Sequence, residues 1–250
     1  MRQRQLKGCQ QIHDVLSSFQ ASDDARTLGH VHHSPPMSVK HAGTKDAFTR
    51  DWALIKLDRE KFPDGFGFEN AVDLQISLFR KLCHLINKHN QRFCKDPPAT
   101  YKFPNNKLMR LQGTVPVDEL LGRSSSAVIA NHDGCRNIVM KWGSETRLTA
   151  GIMLDIESVA RHCFGGVEEE SYELAVMHLS NPHEFDSHLP YGFSDPGDSG
   201  AIVFDLKGRI IGMLTGGSGR NYGVDCAYVT PIAKLQSDIE QTIGRRVRIL

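Results

Sequence analysis

The stretch Pro196-Gly197-Asp198-Ser199-Gly200, followed at once by two apolar runs, constrains the fold more than any other part of the chain. Ala201-Ile202-Val203-Phe204 and Ile210-Ile211-Gly212-Met213-Leu214 are strand-like, and Lys207-Gly208 between them supplies a turn, so the pair reads as a β-hairpin. A serine between two glycines, on a tight turn entering that hairpin, suits an exposed nucleophile. Glycine tolerates strained turn geometry and leaves room for a substrate carbonyl to approach. The N–H groups of Gly197 and Ser199 are candidates for stabilising a developing oxyanion, and Asp198 for pinning the turn internally. Gly, Asp and Ser are also ordinary turn residues, so the surrounding chain decides between loop and site.

A chain of 250 residues can bury one large core or two small ones. Its 40% hydrophobic and 24% charged content is that of a globular domain. With 30 basic against 29 acidic residues, nothing points to nucleic acid or to a membrane surface as a partner. No apolar run approaches the ~20 residues needed to span a bilayer. The charged start, Met1 to Gly8, has no apolar stretch behind it and does not fit a secretory signal. Cys9, Cys83, Cys94, Cys135, Cys163 and Cys226 are scattered, none beside Ser199. A domain of this size does not need disulfide staples, so reduced, buried thiols and a cytoplasmic location are expected. His32 and His33 point to opposite faces of a strand, and no Cys-x2-Cys or His-x3-His pair has matching partners. No metal site and no cofactor is expected.

Along the chain, Leu6, Cys9, Ile12, Val15, Leu16 and Phe19 recur at helical spacing and predict a helix within residues 1–25. Thr27–His33 reads as a short strand stopped by Pro35-Pro36. From Val72 to about Arg92, Leu74, Leu78, Leu82, Leu85 and Ile86 predict a second helix, an insertion of about residues 74–93. Ile138–Gly143 and Leu148–Met153 flank the turn Ser144-Glu145-Thr146, and Tyr172–Met177 forms a further strand. Ala233 to about Ile243 reads as a closing helix followed by a basic tail.

Gly197-Asp198-Ser199-Gly200 with its hairpin, then Thr215-Gly216-Gly217-Ser218-Gly219 and Tyr228-Val229-Thr230-Pro231-Ile232, resembles the C-terminal half of trypsin-like serine peptidases. Asp51-Trp52-Ala53-Leu54-Ile55-Lys56-Leu57 is similar to the setting in which that family carries its triad aspartate. Leu28-Gly29-His30-Val31, Ser34-Pro35-Pro36 and Phe48-Thr49-Arg50 narrow the likeness to a trypsin-like group found among fungal proteins. The resemblance spans about residues 26–235. It implies a mainly β, two-barrel chymotrypsin-type fold of the PA clan. An incomplete first barrel would occupy 26–125 and a second barrel with a C-terminal helix 126–250. It further implies Ser199 as nucleophile, Asp51 orienting a histidine base, and Gly197 and Ser199 as the oxyanion hole. The substrate pocket would fall at Phe193, Thr215 and Gly217, and Phe193 in place of a carboxylate implies an apolar or shallow pocket. The partner implied is a peptide or protein substrate.

The histidine is the departure. The family sets it in a Thr-x-x-His strand well before the aspartate, and none of His13, His30, His32 or His33 has that context. His178, His183 and His188 follow Asp51, the wrong order. Two expectations follow: a serine endopeptidase domain whose base lies on a segment preceding this chain, or a catalytically inactive binding protein on the same fold. In either case, a first barrel lacking its opening strands would leave sheet edges and apolar surface open.

Overall fold

Strands dominate, and the apolar runs of the C-terminal half close into a barrel. The computed structural model describes residues 13–14, 17, 23–64, 67, 69–74, 76–93, 100–121, 130–131, 135–136, 138–179, 192–219 and 225–249. The helix expected within residues 1–25 falls almost entirely outside them, as do His183 and His188. Two compact units are present: Met1–Pro35 with Trp52–Phe68, and Pro36–Asp51 with Glu69–Leu250.

Among its described residues the smaller unit contains the helical turn α1 (Asp23–Arg26), a 3-10 turn at Arg59–Lys61 and two antiparallel strands, β1 (Gly29–His33) and β4 (Leu54–Leu57). Val31 sits opposite Ile55 and Gly29 opposite Leu57. Leu28, Val31, Ile55 and Leu57 are all exposed, so a two-stranded ribbon presents apolar side chains to solvent. His33 stacks on Trp52, ring centroids 5.8 Å apart.

The larger unit opens with a hairpin, β2 (Ser38–Lys40) and β3 (Phe48–Arg50). A second pair, β5 (Ala71–Asp73) with β6 (Leu108–Arg110), encloses the helix α2 (Ile76–Phe93) in sequence. The short helix α3 (Val117–Leu120) and the two-residue pair β7 (Ala130–Asn131) and β8 (Cys135–Arg136) precede the barrel. Its strands are β9 (Ile138–Gly143), β10 (Arg147–Phe164), β11 (Val167–His178), β12 (Ile202–Asp205), β13 (Ile210–Gly217) and β14 (Cys226–Pro231). They close in the order β10-β11-β14-β13-β12-β9, every pairing antiparallel. Helix α4 (Ile232–Ile243) follows β14 directly and stops at Gly244, whose φ of 65° lies in the left-handed region that ends helices. The mainly β class, the C-terminal barrel and its closing helix agree with expectation. Among the described residues the first half forms separate two-stranded pairs rather than a barrel.

Two apolar clusters explain why the barrel strands read as nearly continuous hydrophobic runs: both faces are covered. Val139, Met153, Leu174, Val176, Val203, Ile211, Leu214 and Val229 fill the interior, closed by Val115 before α3 and Leu120 at its end. Ile138, Met140, Leu148 and Phe204 face outward and are covered by Leu82 and Ile86 of α2 with Phe103 and Met109. The pleat puts alternate side chains on opposite faces, so Lys141 of β9 shares the inward side with Val139. No described helix is long and apolar enough to cross a membrane.

Candidate functional site

The Pro196–Gly200 turn is locked from beneath. Asp198 is buried and accepts from five donors: Glu145 N–H at 2.8 Å, Thr146 N–H at 3.3 Å, Thr146 Oγ1 at 2.7 Å, Asp195 N–H at 3.1 Å and the Lys141 ammonium at 3.0 Å. Burial by itself would raise the Asp198 pKa. The Thr146 hydroxyl, Lys141 and the two N–H groups of Glu145 and Asp195 outweigh it and hold the carboxyl at about 2. Burial pushes Lys141 the other way, below the ordinary lysine value, and Asp198 only partly offsets this. Gly143 is what lets the carboxylate in: a Cβ there would lie 2.1 Å from Asp198 Oδ1.

The turn itself is shaped by Gly197, whose φ of 106° is one that L side chains rarely adopt. Asp198 N–H donates to Asp195 O, Gly200 N–H to Leu214 O and Ala201 N–H to Asp198 O, at 3.0, 2.8 and 3.0 Å. The N–H groups of Gly197 and Ser199 have no acceptor among the described residues, unlike their neighbours. Ser199 is exposed while the residue before it is buried. It lines a cleft of about 470 Å³ with Asp195, Leu214, Gly216, Gly217 and Asp225. On the β12 side the pairing of β13 ends with Leu214 N–H donating to Ala201 O. Beyond it, Gly216 and Gly217 pair with β14 alone among the described residues.

Three residues expected at the pocket separate. Gly217 lines the cleft. Phe193 is fully buried in the barrel core, its carbonyl held by Thr149 Oγ1 at 2.7 Å and its ring 5.8 Å from the Lys141 ammonium. The hydroxyl of Thr215 donates to Tyr228 O at 3.3 Å and lies 3.4 Å from Thr230 Oγ1, and Thr215 is not among the residues that line the cleft. The chain enters the cleft lining at Ser194, directly after Phe193, and Asp195 and Pro196 continue it, so the wall next to Ser199 carries a carboxylate beside apolar groups such as Leu214.

Asp51 follows β3 directly and is exposed. Both residues before it are anchored in the larger unit. Thr49 donates its N–H (2.7 Å) and its hydroxyl (2.6 Å) to Oε1 of the fully buried Glu173. Arg50 donates to Asp238 Oδ2 at 2.7 Å and Thr242 Oγ1 at 2.8 Å, both on α4. Neither Asp51 nor Ser199 has a histidine partner among the described residues. No group of three or more His, Cys, Asp or Glu among those residues is placed to hold a metal ion.

Sequence reasoning assigned no role to Lys141, Glu173 or His162. Lys141 and Glu173 were legible only as charges inside apolar strand runs, where the period of two brings each onto a covered face. His162 Nε2 lies 2.9 Å from Ser171 Oγ and 3.1 Å from Thr49 Oγ1, a contact that depends on the packing of β3 over β11 and has no local signature.

No family model and no curated protein matches the chain. Among solved structures it is similar to a glutamic acid specific serine protease, with 15% identity, TM-score 0.38, and coverage of 83% of this chain and 71% of that one. A Cellulomonas bogoriensis chymotrypsin shows 14% identity and a TM-score of 0.37 over 89% and 90% of the two chains. A Nocardiopsis protease shows 14% identity and a TM-score of 0.32 over 57% and 55%. At TM-scores this low the similarities carry no weight for the site, whose chemistry rests on its own geometry.

Proposed function

We propose that this chain is a serine endopeptidase-type domain acting on peptide or protein substrates. Ser199 would attack a peptide carbonyl carbon, its Oγ proton passing to a histidine base that Asp51 would orient and that is not identifiable among the described residues of this chain. The tetrahedral oxyanion is held by the Gly197 and Ser199 N–H groups. Collapse expels the amine, which takes the proton back, and water then releases the acyl group by the same steps.

The observation that carries this reading is the contrast within two residues: Asp198 is buried and bonded five ways, while Ser199 is exposed on the cleft. Gly197 holds this turn at a φ of 106°, and rarely populated backbone conformations of this kind cluster at active sites. The unpaired side of β13 beside Ser199 suits an extended peptide added as a further strand.

A fluorophosphonate reacted with the protein and followed by intact mass tests it. One adduct, lost in Ser199→Ala, is expected. Equal labelling of the variant sinks the proposal. No adduct on either favours the non-catalytic binding protein.

A further inference from the structure

Glu173 is a buried carboxylate that the reaction does not use, on the strand beneath the segment carrying Asp51. It is fully buried, yet its partners among the described residues are all uncharged donors: Thr49 N–H and Thr49 Oγ1 on one oxygen and Thr230 Oγ1, at 2.8 Å, on the other. A carboxylate is expensive to bury and would not be retained there for packing alone. Its two oxygens bond different parts of the larger unit. Oε1 holds β3, two residues before Asp51. Oε2 holds Thr230 of β14, whose hydroxyl in turn lies 3.4 Å from Thr215 Oγ1, the residue preceding Gly216 on the cleft wall.

From this juxtaposition we infer that Glu173 is a positioning residue, fixing the Asp51 segment relative to the strand that forms the Ser199 cleft. The inference rests on the proposed roles of Asp51 and Ser199. The clamp is reinforced from outside. Tyr172 N–H donates to Ala47 O at 2.9 Å, and Thr49 Oγ1 also meets Ser171 Oγ at 3.1 Å and His162 Nε2 at 3.1 Å. Arg50 and Lys40 both reach the buried Asp238, at 2.7 and 3.2 Å, on the α4 side. The last two residues before Asp51 are thus bonded to two different elements, and Glu173 supplies the only anchor among the described residues for the Thr49 N–H. A residue that orients a catalytic base must itself be held to a fraction of an ångström, because misplacement by about 1 Å costs on the order of a hundredfold.

The test combines amide exchange at Thr49 with the kinetics of Ser199 phosphonylation. In Glu173→Ala, exchange of the Thr49 amide should accelerate. The maximal labelling rate should fall about ten- to hundredfold with the reagent's KI unchanged. Glu173→Gln keeps a carbonyl acceptor for Thr49 and should restore the rate to within about threefold. If Glu173→Ala does not fold, Thr49→Val removes one arm of the clamp at constant shape, and Thr49→Ser should rescue it. Wild-type labelling rates in Glu173→Ala or Thr49→Val would overturn the inference, as would an equal fall in Glu173→Gln. If the wild-type protein takes no phosphonate, the endopeptidase reading fails by itself. Amide exchange then still decides the clamp, and unchanged Thr49 exchange in Glu173→Ala overturns it.

Discussion

The Lys141 ammonium lies 3.0 Å from Oδ2 of Asp198, both side chains fully buried, immediately before the exposed Ser199. Thr146 Oγ1 bridges the pair, 2.5 Å from the ammonium and 2.7 Å from the same carboxylate oxygen. Replacing both charges with apolar groups of similar shape can be neutral, but removing one strands the other in the interior. Lys141→Met should therefore cost about 3–5 kcal/mol, a fall in melting midpoint on the order of 10 °C. Phosphonylation of Ser199 should be lost along with it. Calorimetry of Lys141→Met beside the wild type checks this, and a melting midpoint equal to that of the wild type would refute it.

The same pair sets an acid limit. Asp198 is held at about 2 against an ordinary value of 3.8, so the folded state keeps the carboxylate charged where the unfolded chain takes up a proton. The contribution is full above about pH 4 and is lost as pH falls from about 4 to about 2, on the order of 2 kcal/mol. Subtracting the pH profile of the Asp198→Asn melting midpoint from that of wild type isolates it. Parallel profiles between pH 2 and 4 would show that Asp198 is not depressed.

Legibility in the sequence followed the range of the interactions. The C-terminal hairpin and the barrel strands were readable because their apolar runs and turn glycines are local. So was the turn with Ser199, because Gly197 and Gly200 adopt the positive φ that their spacing suggests. Helix α2 ran from Ile76 rather than Val72, because Ala71–Asp73 pairs with Leu108–Arg110 as a strand instead. What escaped were contacts far apart in sequence. Nothing near Lys141 announces Asp198, and nothing near Glu173 announces Thr49. Phe193 was placed in the pocket by counting back from Ser199, but counting cannot tell which side of the wall a side chain takes. The Thr149 bond to its carbonyl and its burial in the barrel core decide that.

Asp195 and Asp225 are the charged side chains among the described residues that line the cleft. Among the described residues that line it there are two carboxylates and no lysine, arginine or histidine. Asp195 is held by reciprocal bonds, its N–H to Asp198 Oδ2 and its carbonyl accepting from Asp198 N–H. Asp225 precedes Cys226, whose N–H donates to Ser218 Oγ at 3.0 Å. A cationic ligand side chain should be preferred over an anionic one, and Asp195→Asn/Asp225→Asn should reduce that preference by about ten- to a hundredfold. Competition between lysine- and glutamate-bearing peptide phosphonates measures it directly, and an unchanged ratio in the double variant would refute it.

The β1–β4 ribbon predicts how the protein behaves in solution. Val31 and Ile55 are cross-strand partners, each 62% exposed, and Leu28 and Leu57 beside them are 51% and 43% exposed. A two-stranded ribbon is marginal by itself, and among the described residues no further strand pairs with either edge of this one. Apolar side chains clustered on it favour association. Val31→Thr with Ile55→Lys keeps strand-compatible shapes at these exposed positions while removing the apolar pair and adding a gatekeeping charge. Light scattering should show concentration-dependent association of the wild-type chain and its reduction in the double variant, with the cooperative unfolding of the barrel unchanged. A wild-type protein that stays monodisperse at all concentrations would show instead that the ribbon is no association surface, and its exposed pair would then need another explanation.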